Sequence, residues 1–197
     1  MARPSYLSVP AALLAVLAAA GCASSTHAPI VGTALSAPAP DFTLTDARGT
    51  PWTLSQQHGK TVVLDFGYTH CEDTCPATIA KIAQALRDAH IDAKDATIAF
   101  VTLDPARDTP PVLAAYERRF DGAPIVGLTG TAAQIHAVEH DYHIWSQRIP
   151  GMHARMGYDI AHSTFFYIID RDGRERVLHN DDARVADITA NLRAVAE

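Results

Sequence analysis

Apolar and polar positions alternate along the chain between short runs of buried type and helical stripes. Thr61-Val-Val-Leu-Asp-Phe-Gly67 is a compact apolar run, the length of a strand covered on both faces, and Thr97-Ile-Ala-Phe-Val-Thr-Leu103 is a second. Between them Ile79, Ile82, Ala83 and Leu86 recur at helical spacing, which predicts a helix over 74–89. A helix over 110–120 opens with prolines, which tolerate the first helical turn, and further helices are expected over 131–142 and 182–195. Residues 125–128 form a short strand. Thr164-Phe-Phe-Tyr-Ile-Ile-Asp170 and Glu175-Arg-Val-Leu178 read as a hairpin across Arg-Asp-Gly. Nearer the N-terminus, Asp41-Phe-Thr-Leu-Thr-Asp46 and Gly49-Thr-Pro-Trp-Thr-Leu54 are two short strands about an Ala-Arg-Gly turn.

Strand–helix–strand followed by a hairpin and a helix predicts an α/β domain with a mixed sheet flanked by helices. A thioredoxin-like domain with an extra N-terminal β-hairpin satisfies this order, over residues 41–197. Residues 22–40 are small and proline-rich, as a flexible tether would be. Residues 1–20 carry one cation, Arg3, no acid, and an apolar run from Leu7 to Ala20. That run is short against the ~20 residues of a spanning helix and suits the core of a signal peptide, taken as 1–21. The Ala19-Ala20-Gly21-Cys22 junction resembles a bacterial lipoprotein processing site, with Ala19 standing where a large aliphatic residue is usual. Cys22 is therefore the candidate lipidation site. Lipidation, plain cleavage and an uncleaved anchor all place the domain outside the cytoplasm. The expected location is the periplasmic side of a membrane, held by an N-terminal lipid anchor.

Composition narrows the function. The formal net charge of −6 lacks the basic footprint of a nucleic-acid binder and argues against electrostatic docking on anionic lipid. A chain of 197 residues buries roughly 70% of its unfolded surface and needs no staples, and a monomer is expected. Cys22, Cys71 and Cys75 are too few for a disulfide scaffold.

The chemistry centres on Tyr68-Thr-His-Cys-Glu-Asp-Thr-Cys-Pro76, where the first buried strand ends and a helix begins. Ligands and reactive groups collect at strand C-terminal ends in α/β sheets, and a helix N-terminus favours a thiolate. Residues four apart on a helix have Cβ atoms ~5–6 Å apart. A disulfide wants ~3.5–4.5 Å, whereas two sulfurs on one thiophilic ion sit ~4 Å apart. The spacing therefore suits a shared metal, and a disulfide only if Cys71 lies off the helix. A structural disulfide closing so short a loop would stabilise little. His162 precedes the strand at 164–170, and in this topology it is brought toward the helix N-terminus as a third donor. Two soft thiolates and one imidazole favour copper, as Cu(I) or Cu(II), over hard cations.

Together with Thr102-Leu-Asp-Pro-Ala-Arg-Asp-Thr-Pro110 and His162-Ser163, the cysteine segment resembles the Sco/SenC family of copper-binding thioredoxin-fold proteins, from about Asp41 to the C-terminus. The resemblance implies insertion of copper into the binuclear copper site of cytochrome c oxidase, or reduction of that site's cysteines. It makes Cys71, Cys75 and His162 the copper ligands, one ion per domain, and the partners the oxidase copper-site subunit and a copper donor protein. The family commonly carries an acid before that histidine; here it is Ala161, which puts the tuning of Cu(II) affinity in question.

A thiol–disulfide oxidoreductase is the rival, with Cys71 as attacking thiolate and Cys75 as resolving thiol. Its usual Cys-x2-Cys spacing is absent, and so is the proline expected where Ala161-His162 stands. A thiol peroxidase lacks its Pro-x3-Thr-x2-Cys pattern. Asp104, Arg107 and Asp108 are read as capping the following helix and pairing with each other. His136, His140 and His143 share a helical stripe, read as solvated surface. Met152, His153 and Met156 lie in the loop before His162, where thioethers also suit a soft ion, although plain loop filling is the simpler role. Asp159 is the acid nearest His162.

Overall fold

The computed structural model describes residues 30–120, 122–151 and 157–196. In chain order these form β1 (Thr33–Ala34), β2 (Thr43–Asp46), β3 (Pro51–Thr53), β4 (Thr61–Gly67), α1 (Thr74–Asp88), β5 (Ala96–Thr102), α2 (Pro110–Glu117) and β6 (Ile125–Thr129). Then follow α3 (Ala132–Asp141), β7 (Ser146–Pro150), β8 (Tyr158–His162), β9 (Phe165–Ile169), β10 (Glu175–Asn180) and α4 (Val185–Ala196).

The two uninterrupted apolar runs, β4 and β5, are the middle of an eight-stranded sheet of order β1-β10-β9-β4-β5-β6-β2-β3. Every residue of both is buried, because helices cover both faces. β4, β5 and β6 run parallel, and β9 joins β4 antiparallel. Alternation along β4 sends Val63 to the face covered by α1 and α4, among Ile82, Leu86, Ile188 and Leu192. Val62, Leu64 and Phe66 go to the opposite face, among Ile135, Val138 and Tyr142 of α3 and its C-terminal end. This is the thioredoxin-like arrangement, and β2–β3 is the additional N-terminal hairpin.

Two regions depart from the sequence expectation. Part of the stretch expected to be tether is docked: Thr33–Ala34 pairs with β10, Pro38 bridges to Arg174, and Leu35 and Ala39 pack on the core. Asn191 of α4 accepts from the Val31 N–H and donates to the Val31 carbonyl, at 3.0 and 2.6 Å. Small residues left no alternation to read there, and pairing across the fold supplies the order. The second departure is β7–β8, a separate two-stranded sheet in the stretch read as loop before His162. His162 precedes β9, as expected, and also ends β8. No helix among the described residues is long and apolar enough to cross a membrane. Cys22, Met152, His153 and Met156 lie outside the described residues.

Candidate metal and redox centre

The site begins where β4 runs out. Gly67 ends the strand, and a Cβ there would stand 2.8 Å from the Cys75 sulfur and 2.9 Å from the Phe100 ring. The missing side chain is what lets the cysteine reach the sheet. Four residues on, Cys71 lies before the first turn of α1, and Cys75 sits inside that turn. Cys71 is thus off the helix, so the spacing admits a disulfide as well as a shared metal ion. Both cysteines are free thiols here, Cys71 partly exposed and Cys75 buried.

Helix α1 opens with no side-chain cap from Asp73. The Cys71 sulfur takes that role, accepting the Cys75 backbone N–H at 3.3 Å. A helix N-terminus leaves its first N–H groups without partners, so a negative acceptor there is favoured. The Cys75 thiol also donates to the Cys71 sulfur, and this is the largest cause holding the Cys71 thiol well below the ordinary thiol range. Burial opposes it; the backbone N–H groups of Cys75 and Asp73 and the nearby His162 reinforce it. The Cys75 thiol is pushed up by the same contact with Cys71 and then by burial. The pair is therefore unequal: the partly exposed Cys71 favours the thiolate and the buried Cys75 the thiol.

His162 completes the group. Its Nε2 lies 3.9 Å from the Cys75 sulfur. Its Nδ1 lies 2.8 Å from the Ser163 carbonyl oxygen. A carbonyl only accepts, so Nδ1 carries a proton, and Nε2, the nitrogen free to bind a metal ion once unprotonated, faces the sulfur. The carbonyl thus orients the imidazole, a role for which the sequence offered Ala161 and no acid. Metal–sulfur bonds of ~2.3 Å and metal–nitrogen bonds of ~2.0 Å put two donors of one ion ~3.5–3.7 Å apart. The Cys75–His162 pair is within a few tenths of an ångström of that. Among the described residues no group of three or more His, Cys, Asp or Glu side chains is arranged to hold a metal ion; the approach seen is that of His162 to Cys75.

Asp65 escaped sequence reasoning. It is the single acid of the β4 run, 5% exposed, lining a narrow cleft with Cys75, His162 and Asp181. Its Oδ2 has no hydrogen-bond partner. Burial pushes its carboxyl up to about 8, with smaller contributions from Cys71 and Asp181. An acid inside an otherwise apolar strand was the available signal.

The remaining sequence candidates separate. Asp104 pairs with Arg107 as expected. Neither acid caps α2, whose N-cap is Thr109. Asp108 instead accepts from the Thr69 N–H, the Thr69 hydroxyl and the Thr102 hydroxyl. His70 turns its Nδ1 to Thr69 and Asp108, away from the sulfurs. His136 and His140 pair with Glu139 and Asp141 on α3.

A family model described as SCO1/SenC matches residues 33–197. The "Protein SCO2, mitochondrial" of Saccharomyces cerevisiae is 38% identical over 136 residues, 68% of this chain and 44% of that protein. The "SCO2-like protein RP587" of Rickettsia prowazekii is 34% identical over 133 residues, 68% of this chain and 64% of that one. The chain therefore spans less than two thirds of the length of either relative. Among solved structures, Bradyrhizobium japonicum ScoI with copper bound is 32% identical, with 81% of this chain and all of that chain covered and a TM-score of 0.71.

Proposed function

Because the chain belongs to the SCO1/SenC family, we propose that it carries one copper ion on Cys71, Cys75 and His162 for assembly of the binuclear copper site of cytochrome c oxidase. The observation that carries this reading is the approach of the His162 Nε2 to the Cys75 sulfur, with the Cys71 sulfur beside it. Two sulfurs and one imidazole form a soft donor set, suited to Cu(I) and open to Cu(II), and a relative of similar fold was solved with copper bound. Copper is cargo here. Partly exposed Cys71 is the donor an incoming partner thiolate reaches first, so release proceeds by ligand exchange. The partners are a copper donor protein and the copper-site subunit of the oxidase. Residues 1–21 are a signal peptide, and a lipid on Cys22 holds the domain to the membrane on its periplasmic side.

A second reading is favoured by the unequal thiols. The Cys71 thiolate attacks a partner disulfide, forming a mixed disulfide and releasing one partner thiolate. Cys75 then loses its proton and displaces the second. The partner leaves with two thiols and the chain keeps a Cys71–Cys75 disulfide, a two-electron oxidation. Copper and disulfide compete for the same sulfurs.

The test is copper stoichiometry of the reduced full chain beside Cys71→Ser, Cys75→Ser and His162→Ala. One ion per chain, with tight binding lost in each variant, is expected. Tight one-to-one binding by His162→Ala overturns the three-donor site. Full disulfide-reductase turnover by that variant establishes the second reading.

A further inference from the structure

The β4–β9 register sets Phe166 beside Asp65 and so brings His162 toward the cysteines, but it leaves the seat of the β7–β8 hairpin, whose last residue is His162, to side-chain contacts. Cys71 and Cys75 follow β4 in the main sheet, whereas His162 ends β8 in a two-stranded sheet of its own. Side-chain contacts add to that pairing in holding the hairpin over the cysteines, and one five-residue segment, residues 104–108, touches both sides.

On the cysteine side, Asp108 is fully buried. Its carboxylate accepts from the Thr69 N–H at 2.9 Å, the Thr69 hydroxyl at 2.6 Å and the Thr102 hydroxyl at 2.6 Å. Thr69 lies two residues before Cys71, so these bonds clamp the cysteine loop to the end of β5. On the hairpin side, Arg107 donates to the buried Asp104 and, through Nη1, to the Tyr158 carbonyl at 3.0 Å. Its guanidinium carbon stands 3.7 Å from the centre of the Tyr158 ring. The Tyr158 hydroxyl donates to Asp104 at 2.8 Å. From β7, Arg148 reaches within 3.8 Å of the same carboxylate. The two sides meet at Tyr68, whose hydroxyl is bonded by the Ile160 backbone and whose ring stands edge-on to His162, 6.1 Å between centres.

We propose that the Asp104–Asp108 segment is a bracket setting the distance between the cysteine sulfurs and the His162 imidazole, Asp108 holding one side and the Asp104–Arg107–Tyr158 cluster the other. These are positioning residues. Buried bonds at both ends of one short segment allow the two sides little independent drift. The consequence for copper rests on the reading above; the geometric claim does not.

The test compares Arg107→Lys, Tyr158→Phe and Asp108→Asn in the reduced full chain, each alone and combined with His162→Ala. Lysine keeps the charge of Arg107 but loses its planar fork and its stacking. Hydrogen exchange without copper is expected to accelerate over 158–163 in Arg107→Lys, and less in Tyr158→Phe. In Asp108→Asn it accelerates over 69–71. Copper affinity, measured by competition with a chelator, falls roughly tenfold or more in Arg107→Lys, the range for residues that orient a ligand. That loss disappears in the His162→Ala background, where there is no imidazole left to position. Asp108→Asn weakens copper in both backgrounds, since it acts through the cysteines. Acceleration spread evenly over the main sheet, or an equal copper loss with and without His162, overturns the bracket. If the parent chain takes up no copper while the two exchange patterns stay separate, the copper reading fails and the bracket stands.

Discussion

Asp65 yields the sharpest quantitative expectation. Its carboxyl is buried in β4 with an unpartnered oxygen and titrates at about 8, against an ordinary 3.8. Between those values the unfolded chain has released a proton that the folded chain retains, so folding takes up a proton and stability falls as pH rises. Each pH unit in that window costs about 1.4 kcal/mol, which accumulates to about 4 kcal/mol by pH 7. Asp65→Asn removes the ionisation and nearly preserves the shape. Its amide enters a site with an unpaired position, a penalty of roughly 1–3 kcal/mol, but that penalty is the same at every pH. The observable is therefore the slope. In urea unfolding of the reduced chain from pH 4 to 8, variant minus parent stability is expected to climb by about 1.4 kcal/mol per pH unit and flatten near pH 8. A difference that stays constant across that range refutes the buried protonated acid.

Two further outcomes follow from the electrostatics of the site and of the N-terminal segment. In the reduced chain at pH 6, iodoacetamide is expected to modify Cys71 roughly tenfold or more faster than a free cysteine while sparing Cys75. Cys75→Ala slows that reaction by removing the thiol that bonds the Cys71 sulfur; equal labelling of both cysteines by peptide mapping refutes the assignment. Elsewhere, burial lowers the titration of His179 below its ordinary 6.5, and its Nε2 lies 2.9 Å from the Asn191 side-chain nitrogen. As pH falls below 6.5 the unfolded chain takes the proton first, so stability is lost on acidification. A protonated Nε2 also no longer accepts from Asn191, the residue that holds Val31. Limited proteolysis is expected to open residues 30–35 at pH 5 but not at pH 7.5, and His179→Gln should weaken this pH dependence; cleavage independent of pH refutes it.

What the sequence disclosed follows the range of the forces involved. β4 and β5 are legible because burial on both faces writes an unbroken apolar run into adjacent positions. The Cys71–Cys75 half of the site is legible because strand end, helix start and both sulfurs lie within nine residues. β1 is illegible because two small residues carry no pattern, and the bonds that dock its neighbour Val31 come from Asn191, 160 positions away. β7 fails for a related reason: Ser-Gln-Arg-Ile-Pro is nearly all exposed, so no buried face writes an alternation into it.

His162 shows where local reading stops. Its candidacy as a donor was available from its place before β9, yet its orientation depends on the Ser163 carbonyl and its position on a hairpin outside the main sheet. The segment at 102–110 was conspicuous as a sequence, and its acids read naturally as helix caps. Thr109 takes the N-cap position of α2, leaving Asp108 free to reach back to Thr69 and Arg107 to reach across to Tyr158. A two-sulfur, one-nitrogen site needs its third donor correct to within tenths of an ångström. In the proposed bracket that distance is set by a segment containing none of the proposed donors, so spacing along the chain points to candidate ligands but leaves open how they meet.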